Sequence, residues 1–384
     1  MANYKSYLGD IPLNSKRGPF DVRIPSFDIL EVDYVVVGAG GGGGAAGGGA
    51  GGGEVITTYS SSNAQLILNS ANTYNIVIGE GGLGGVYNVS GSGFNGESTY
   101  ISTLDDIKLI EAIGGGAGGG VQGGYGPTID LSNSSGINGG SGGGSSWQGS
   151  AGTAIGSGSN GGTQSNKFVA NSTCSPSTGS ATPSLPGKDN TGGGGGQLPA
   201  SWDLGFPYGG LGIITDSDGH IHYDCPPGAV GQWPIGGPGG EPLVIPWVKT
   251  TYSEVGAGGG GGWTWTQPAG NQIPQTVYGK PGSPEPKNGG GNTGGSGAPL
   301  TDEITPINGA AGLANSGAGG GGGSITNAGL APTNYYRISD GGRGGSGVVV
   351  IRYPSPKRFN GGDITIENGY VNHTFTESST LTSA

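Results

Sequence analysis

The densest run of chemically capable side chains is Asp216-Ser217-Asp218-Gly219-His220-Ile221-His222-Tyr223-Asp224. Its Asp-x-Asp-Gly start could open a calcium loop. No glutamate stands at the twelfth position, and the run is too short for an EF-hand. His220 and His222, two residues apart, would place both imidazoles on one face of a strand. That makes them a candidate metal pair, against the plainer reading of a polar β-turn with exposed histidines. The third histidine, His373, sits in an alternating segment and reads as structural. Asp105 and Asp106 adjoin a turn, where solvation is their ordinary state. Glycan hydrolysis needs two carboxylates paired on a rigid scaffold, and no such pairing can be read here. The chain is therefore expected to be no enzyme and to carry no cofactor.

Gly38-x-Gly40-x-x-Gly43 after an apolar run matches a dinucleotide fingerprint on paper. That fingerprint needs a helix directly after it, to aim its N-terminus at a pyrophosphate. Residues 44–53 are instead glycine with three alanines, and each glycine costs about 1 kcal/mol in a helix. The match comes from glycine density.

The aromatic residues of the inserts are the candidates for binding. They are Trp147, Trp202, Phe206 and Tyr208, then Trp233, Trp247 and Tyr278, and finally Tyr335 and Tyr336. Aromatic side chains on loops suit recognition of sugars or protein surfaces. The competing role is to plate the flanks of a glycine-rich body. That role fits Trp263 and Trp265, which abut a tract; for Trp147, Trp202 and Trp233 both readings stand.

The elements that must position these residues have an unusual composition. Of 384 residues 93 are Gly and 25 Pro, a balance that by itself predicts low complexity. The insert at 160–196 fits that prediction. Repeated Val/Ile runs at the mouths of glycine tracts do not, nor do six Trp and 16 Tyr. With 32% apolar residues, one large side-chain core is not expected. Residues 30–36 alternate, with Leu30, Val32, Tyr34 and Val36 on one face and Glu31 and Asp33 on the other, a half-buried strand. Segments 54–59, 65–68, 74–78, 98–102 and 107–113 continue as strands; Leu104, Ile107 and Ile110 would also share a helical face, but strand neighbours favour strand. Residues 348–353, 363–367 and 370–376 are further strands, with Val371, His373 and Phe375 facing one way.

Between them run tracts such as 38–53, 114–124, 256–262, 309–323 and 341–347. A polyproline-II-like chain has no internal hydrogen bonds, so its N–H and C=O groups point outward. Without Cβ atoms such chains can approach and bond laterally, helped by Cα–H···O contacts. A hydrogen bond nets about 0.5–1.5 kcal/mol against about 1–2 kcal/mol to fix a backbone residue. Single tracts should not order, whereas many side by side, tethered by strands at one end, should. The expected fold is mainly β: a β-sheet platform, a packed polyglycine-II-type bundle, long irregular loops and almost no helix.

The formal net charge is −11 with no basic run, which disfavours nucleic acid as a partner. Residues 34–53 approach the length of a membrane span but are mostly glycine, too weakly apolar to insert. The first 22 residues have no apolar core, so no secretory signal is read there. Cys174 and Cys225 have no metal spacing and read as two thiols, with a bridge as the alternative.

The set VDYVVVGAGGGGG, YNIVIGEGG, IEAIGGGAGGG and GGSGVVVIRYP resembles the glycine-rich domain of bacteriophage tail-fibre proteins. NGGDITIENGYVNHTFTESSTLT resembles the segment that ordinarily precedes that domain, although here it follows. Glycine motifs alternating with variable segments are also similar to the tip adhesins of T-even-type long tail fibres, where loops from a polyglycine-II block touch the receptor. The resemblance implies a virion protein assembled in the host cytoplasm. Its implied partners are other fibre proteins and a host surface glycan or outer-membrane protein, and a homotrimer is implied as well. In trimeric fibres a His-x-His pair can ring an axial metal, which His220 and His222 match in the pair alone. The division read is an attachment arm at 1–29, the glycine-rich domain at 30–354, and a β segment at 355–384 that completes the sheet or pairs with a neighbour. Residues 370–376 are expected beside 30–37. A virion structural role without receptor contact, or a cellular glycine-rich surface or ice-binding role, are the alternatives.

Overall fold

The computed structural model describes residues 29–45, 48–59, 61, 63–120, 135–144, 152–155, 242–248, 253–259, 294–295, 308–323 and 338–384, and the backbone alone at 212–215, 221–224, 264–266, 325–327 and 336–337. Among these residues it is mainly β, with no helix.

Six strands come first: β1 (Ile29–Val37), β2 (Val55–Thr57), β3 (Leu66–Asn69), β4 (Tyr74–Val77), β5 (Thr99–Thr103) and β6 (Lys108–Ala112). Short strands follow in the inserts: β7 (Gly212–Thr215), β8 (Ile221–Asp224), β9 (Leu243–Val244), β10 (Glu254–Val255), β11 (Thr264–Thr266), β12 (Ile325–Asn327) and β13 (Tyr336–Ile338). The chain closes with β14 (Val348–Pro354), β15 (Phe359–Asn360), β16 (Asp363–Glu367), β17 (Tyr370–Phe375) and β18 (Ser379–Ser383).

Two sheets make the platform. One has the order β16-β17-β14-β1-β2, with β3 paired to the first half of β1; the other has the order β15-β18-β4-β5-β6. The period-two faces decide what lies between them. Val32, Tyr34 and Val36 of β1 meet Ile351 and Tyr353 of β14, Val371 and Phe375 of β17, and Ile76, Ile101 and Leu381 of the facing sheet. Each such side chain, once buried, contributes about 1.5–3 kcal/mol. The even face of β1 is the predicted core face.

Two expectations are corrected. Strand β17 does not lie beside β1; β14 stands between them, antiparallel to both. Residues 348–354 are the most continuously apolar strand of the chain, and a strand buried on both faces belongs at the sheet centre. Nor is β1 half-buried throughout. Val35 and Val37, on its other face, are sealed with Val348 and Val350 under Ile245, Val248 and Val255 from the β9–β10 hairpin.

His373 is the structural histidine expected, fully buried in this core. Its Nδ1 lies 2.7 Å from the Gly361 carbonyl, which can only accept, so Nδ1 carries the proton. Nε2 then accepts from the Tyr353 hydroxyl at 2.8 Å. The same hydroxyl oxygen accepts the N–H groups of Arg358 and Phe359, each at 3.1 Å. The ring stacks between Tyr353 and Phe375. Burial pushes the imidazole below its ordinary pKa, the Gly361 carbonyl pulls it back, and Lys357 pushes it lower.

Most of the remaining described chain is glycine tract. Residues 38–45 continue β1 without a break and form the axis of the block. Their N–H groups address three neighbours in turn. Gly38, Gly41 and Gly44 donate to Glu54, Gly51 and Gly48; Ala39, Gly42 and Ala45 to Glu97, Phe94 and Gly91; Gly40 and Gly43 to Gly345 and Gly342, all at 2.7–3.0 Å. Acceptor numbers fall by three as donor numbers rise by three, so these neighbours run antiparallel. The carbonyls follow the same rule with three parallel neighbours. Ala39 and Gly42 accept from Gly115 and Gly118, Gly40 and Gly43 from Gly82 and Gly85, and Gly41 and Gly44 from Gly320 and Gly323. A repeat of three in both donors and acceptors is the threefold screw of polyglycine II, with a rise of about 3.1 Å per residue.

The six neighbours close a ring around the axis. Phe94 donates to Leu83, Gly96 to Gly115, Gly51 to Gly116, Ala50 to Gly320, Gly342 to Gly321 and Gly344 to Gly82. Going round, directions alternate up and down. An outer layer adds residues 136–144, 256–259 and 309–312, through bonds such as Gly144 to Gly49, Gly259 to Ala50 and Gly312 to Arg343. The platform grips the block at its base. Glu54 and Ile113 exchange backbone and side-chain bonds, the Glu54 carboxylate accepting Ile113 N–H at 3.0 Å, and Thr99 Oγ1 accepts Gly79 N–H at 3.0 Å.

Candidate recognition end of the glycine block

The lattice fixes a level for every tract end. Gly38, Glu54, Gly79, Glu97, Gly114 and Gly347 lie at the base, beside the sheets. At the other end Gly44 donates to Gly48, Gly48 to Gly119, Gly119 to Gly144, Gly323 to Gly44, Ala45 to Gly91 and Gly341 to Gly85. These residues share one far level, roughly 20 Å from the base by the rise of the axis tract. The described tracts end there at Gly120, Gly144 and Gly323, and the chain resumes there at Ser339.

The expected site residues divide by this geometry. Trp147, in the link after Gly144, and Tyr278, after Gly259, lie outside the described residues, as does Tyr335. Tyr336 lies on β13, whose backbone is described. There β12 pairs in parallel with β11 and antiparallel with β13, in rows Trp265–Thr326–Arg337 and Thr266–Asn327–Tyr336. Strand β12 follows Gly323 and β13 runs into Ser339, both at the far level. Trp202, Phe206, Tyr208 and Trp233 also lie outside the described residues, in an insert rooted elsewhere. It leaves at Ile155, whose N–H donates to Gly139, and re-enters at β9 on the platform. His220 lies outside the described residues; His222 stands in β8 opposite Ile214. Among the described residues no cluster of three His, Cys, Asp or Glu side chains could hold a metal ion.

Trp247 belongs to the platform. It packs half-buried against the Val35–Val37–Val350 face, and the Arg352 guanidinium lies between its ring, at 5.3 Å, and the Tyr370 ring, at 3.8 Å. Both faces of that cation are taken by protein rings. The arrangement plates the outer face of the sheet.

One far-level loop is described in full and was missed by the sequence reading. Residues 86–90, Val-Tyr-Asn-Val-Ser, join the ends of tracts 79–85 and 91–97. The Val86 carbonyl accepts Val89, Ser90 and Gly91 N–H groups at 3.0–3.2 Å, which folds the loop into one tight turn. Tyr87 N–H donates to Asp340 Oδ1 at 3.0 Å, and Asp340 N–H donates to Asn308 Oδ1 at 3.1 Å, tying the turn to the neighbouring tracts. Val89 is 68% and Val86 37% exposed, with Tyr87 half-buried between them. The signal available was a short apolar-aromatic link between two tracts, where a turn alone would call for Gly, Asn or Ser.

These features define a class: a β-sandwich platform that holds a polyglycine lattice at one end and lets the lattice present its links at the other. Residues 14–354 match the glycine-rich domain family, and the chain belongs to that family. None of the curated proteins matches it. Among the described residues no helix is long and apolar enough to cross a membrane.

Proposed function

We propose that the chain is a non-enzymatic bacteriophage virion protein, a tail-fibre or related receptor-binding component that attaches the particle to a host-surface glycan or protein. The observation that carries this reading is the segregation of the two ends. Sheets with side-chain cores collect at the base, and the tract ends at Gly120, Gly144 and Gly323, where variable links start, collect at the far level. A lattice with almost no side chains of its own is a stiff spacer, because every tract is bonded on several sides. Links on such a spacer can vary without touching the elements that hold the fold. The short turn Val86–Tyr87–Val89, already exposed and apolar, is a described part of that presenting surface. Attachment to the rest of the particle falls to the platform and the segment preceding β1.

Purified protein should adsorb to cells of a susceptible bacterial strain and reduce phage adsorption to them. Tyr87→Ala and Val89→Asp should weaken that adsorption while leaving the thermal unfolding midpoint in place. Absence of adsorption across a panel of strains that the parent phage infects would sink the receptor-binding reading and favour a purely structural role in the particle.

A further inference from the structure

Strand β16 is the outer edge of the first sheet, and each of its five residues is exposed. Its register places Ile364 opposite His373 and Ile366 opposite Val371, so both isoleucines extend the face that elsewhere forms the sandwich core. The second sheet does not reach that far: Ile364 is 37% and Ile366 61% exposed. The other face of β16 carries Asp363, Thr365 and Glu367. A flat edge with an uncovered apolar face is a template for a further strand. Pairing of β16 with β16 of a second copy, in antiparallel register about Thr365, would set Asp363 against Glu367 twice, and like charges directly opposite destabilise.

A segment of complementary pattern precedes β1. Residues 20–24, Phe-Asp-Val-Arg-Ile, alternate apolar and polar and are bracketed by Pro19 and Pro25. Proline is tolerated at strand ends and not within a ladder, so the bracket limits a strand here to five residues, the length of β16. Paired antiparallel with Phe20 opposite Ile366 and Val22 opposite Ile364, the segment would extend the apolar face. Arg23 would then stand opposite Asp363 and Asp21 opposite Thr365.

Geometry decides whose segment it is. From the free side of β16 to β1 there are four inter-strand steps, across β16, β17 and β14, or about 19 Å. Ile29 also lies beyond the end of β14, since Asp33 is already opposite Arg352. The link from Ile24 to Ile29 spans at most about 18 Å when fully extended. The chain's own segment falls short of this pairing. We infer that residues 20–24 of a second copy of this chain add as an outer strand to β16, making a head-to-tail contact that repeats from copy to copy.

The test uses the full chain with a photoreactive benzophenone side chain placed at exposed Thr365. On irradiation, the expected product runs at twice the chain mass on a denaturing gel, and peptide mapping joins position 365 to residues 20–24. Light scattering of the unmodified protein should give a multiple of the chain mass. Phe20→Asp combined with Val22→Asp should remove the cross-link and return the mass to that of one chain, with the circular dichroism spectrum unchanged. A single-chain mass for the unmodified protein, a cross-link within one chain, or a cross-link that maps elsewhere would each overturn the inference. None of these outcomes bears on whether the far-level links bind a host surface.

Discussion

In the platform, Ile351, Tyr353, Val371 and Phe375 are held by what their side chains touch; in the block, residues 40–44 are held by their main chain and would be displaced by any side chain at all. A Cβ built on Gly40, Gly41, Gly42, Gly43 or Gly44 meets the carbonyl of Ala318, Gly116, Leu83, Gly321 or Gly119, in each case closer than 3.0 Å. Those carbonyls belong to ring tracts that are themselves bonded and cannot withdraw. The two regions therefore fail in opposite ways. A side-chain core suffers when atoms are removed, and a backbone lattice suffers when atoms are added. The lattice is not hostile everywhere: Ala39, Ala45, Ala50, Ala117, Ala257 and Ala318 are fully buried within it. Which positions admit a Cβ is set by where the threefold screw points each residue.

The largest expected effect comes from adding one carbon to the axis. Gly43→Ala should cost about 3 kcal/mol or more, through overpacking against backbone and loss of the hydrogen bonds that must open to relieve it. Its counterpart is Ala50→Gly, the reverse exchange in a neighbouring tract, which should cost about 1 kcal/mol or less. Urea unfolding followed by intrinsic fluorescence reads both. Near-equal values would erase the distinction between the two regions.

Next is the buried polar group of the platform. In the folded chain neutral His373 accepts from Tyr353, and protonation would point a second donor at an oxygen that already accepts two N–H groups. Its folded pKa is lowered, so the unfolded chain binds the proton more tightly. Stability is full above the ordinary histidine pKa of about 6.5 and falls as pH drops through that value toward the folded one. The urea midpoint should fall between pH 7.5 and pH 5.5. Tyr353→Phe, which strands two N–H groups, should cost about 1–3 kcal/mol; a midpoint that ignores pH in this window would remove His373 from the account.

Removing one carbon from the platform should matter less than adding one to the block. Ile351→Val is expected to cost about 0.5–1.5 kcal/mol. The smallest effect belongs to the plated outer face. Arg352→Gln loses the contacts to Trp247 and Tyr370, worth about 0.5–1 kcal/mol at a half-exposed site. A loss above that of Ile351→Val would show that the stack fastens the β9–β10 hairpin more firmly than its area suggests.

The same contrast governs what could be read in advance. Val32, Tyr34 and Val36 announced the core face because period two survives in their side chains. Val35 and Val37 did not announce the β9–β10 hairpin, whose apolar residues lie over 200 positions away. Strand β18 was missed because Ser379-Thr-Leu-Thr-Ser383 shows a single buried apolar residue, Leu381. That β14 separates β1 from β17 could not be read either, because strand periodicity names faces and not partners. In the block the tracts were legible as elements, yet nearly identical in sequence. Nothing in glycine distinguishes the axis at 38–45 from the ring tracts, and both β1 and β14 run directly into the lattice. The far-level turn at 86–90 was hidden by its shortness, beside inserts many times longer.

The central claim is that residues 38–45 bond to different neighbours at each successive amide. Scalar couplings across hydrogen bonds, measured by NMR on deuterated, uniformly labelled protein, test it directly. The account predicts that the Gly41 nitrogen couples to the Gly51 carbonyl carbon, Gly42 to Phe94 and Gly43 to Gly342, three tracts in three consecutive residues. Couplings from alternate residues to one common partner tract, as in a β-ladder, or no couplings at all, would contradict it.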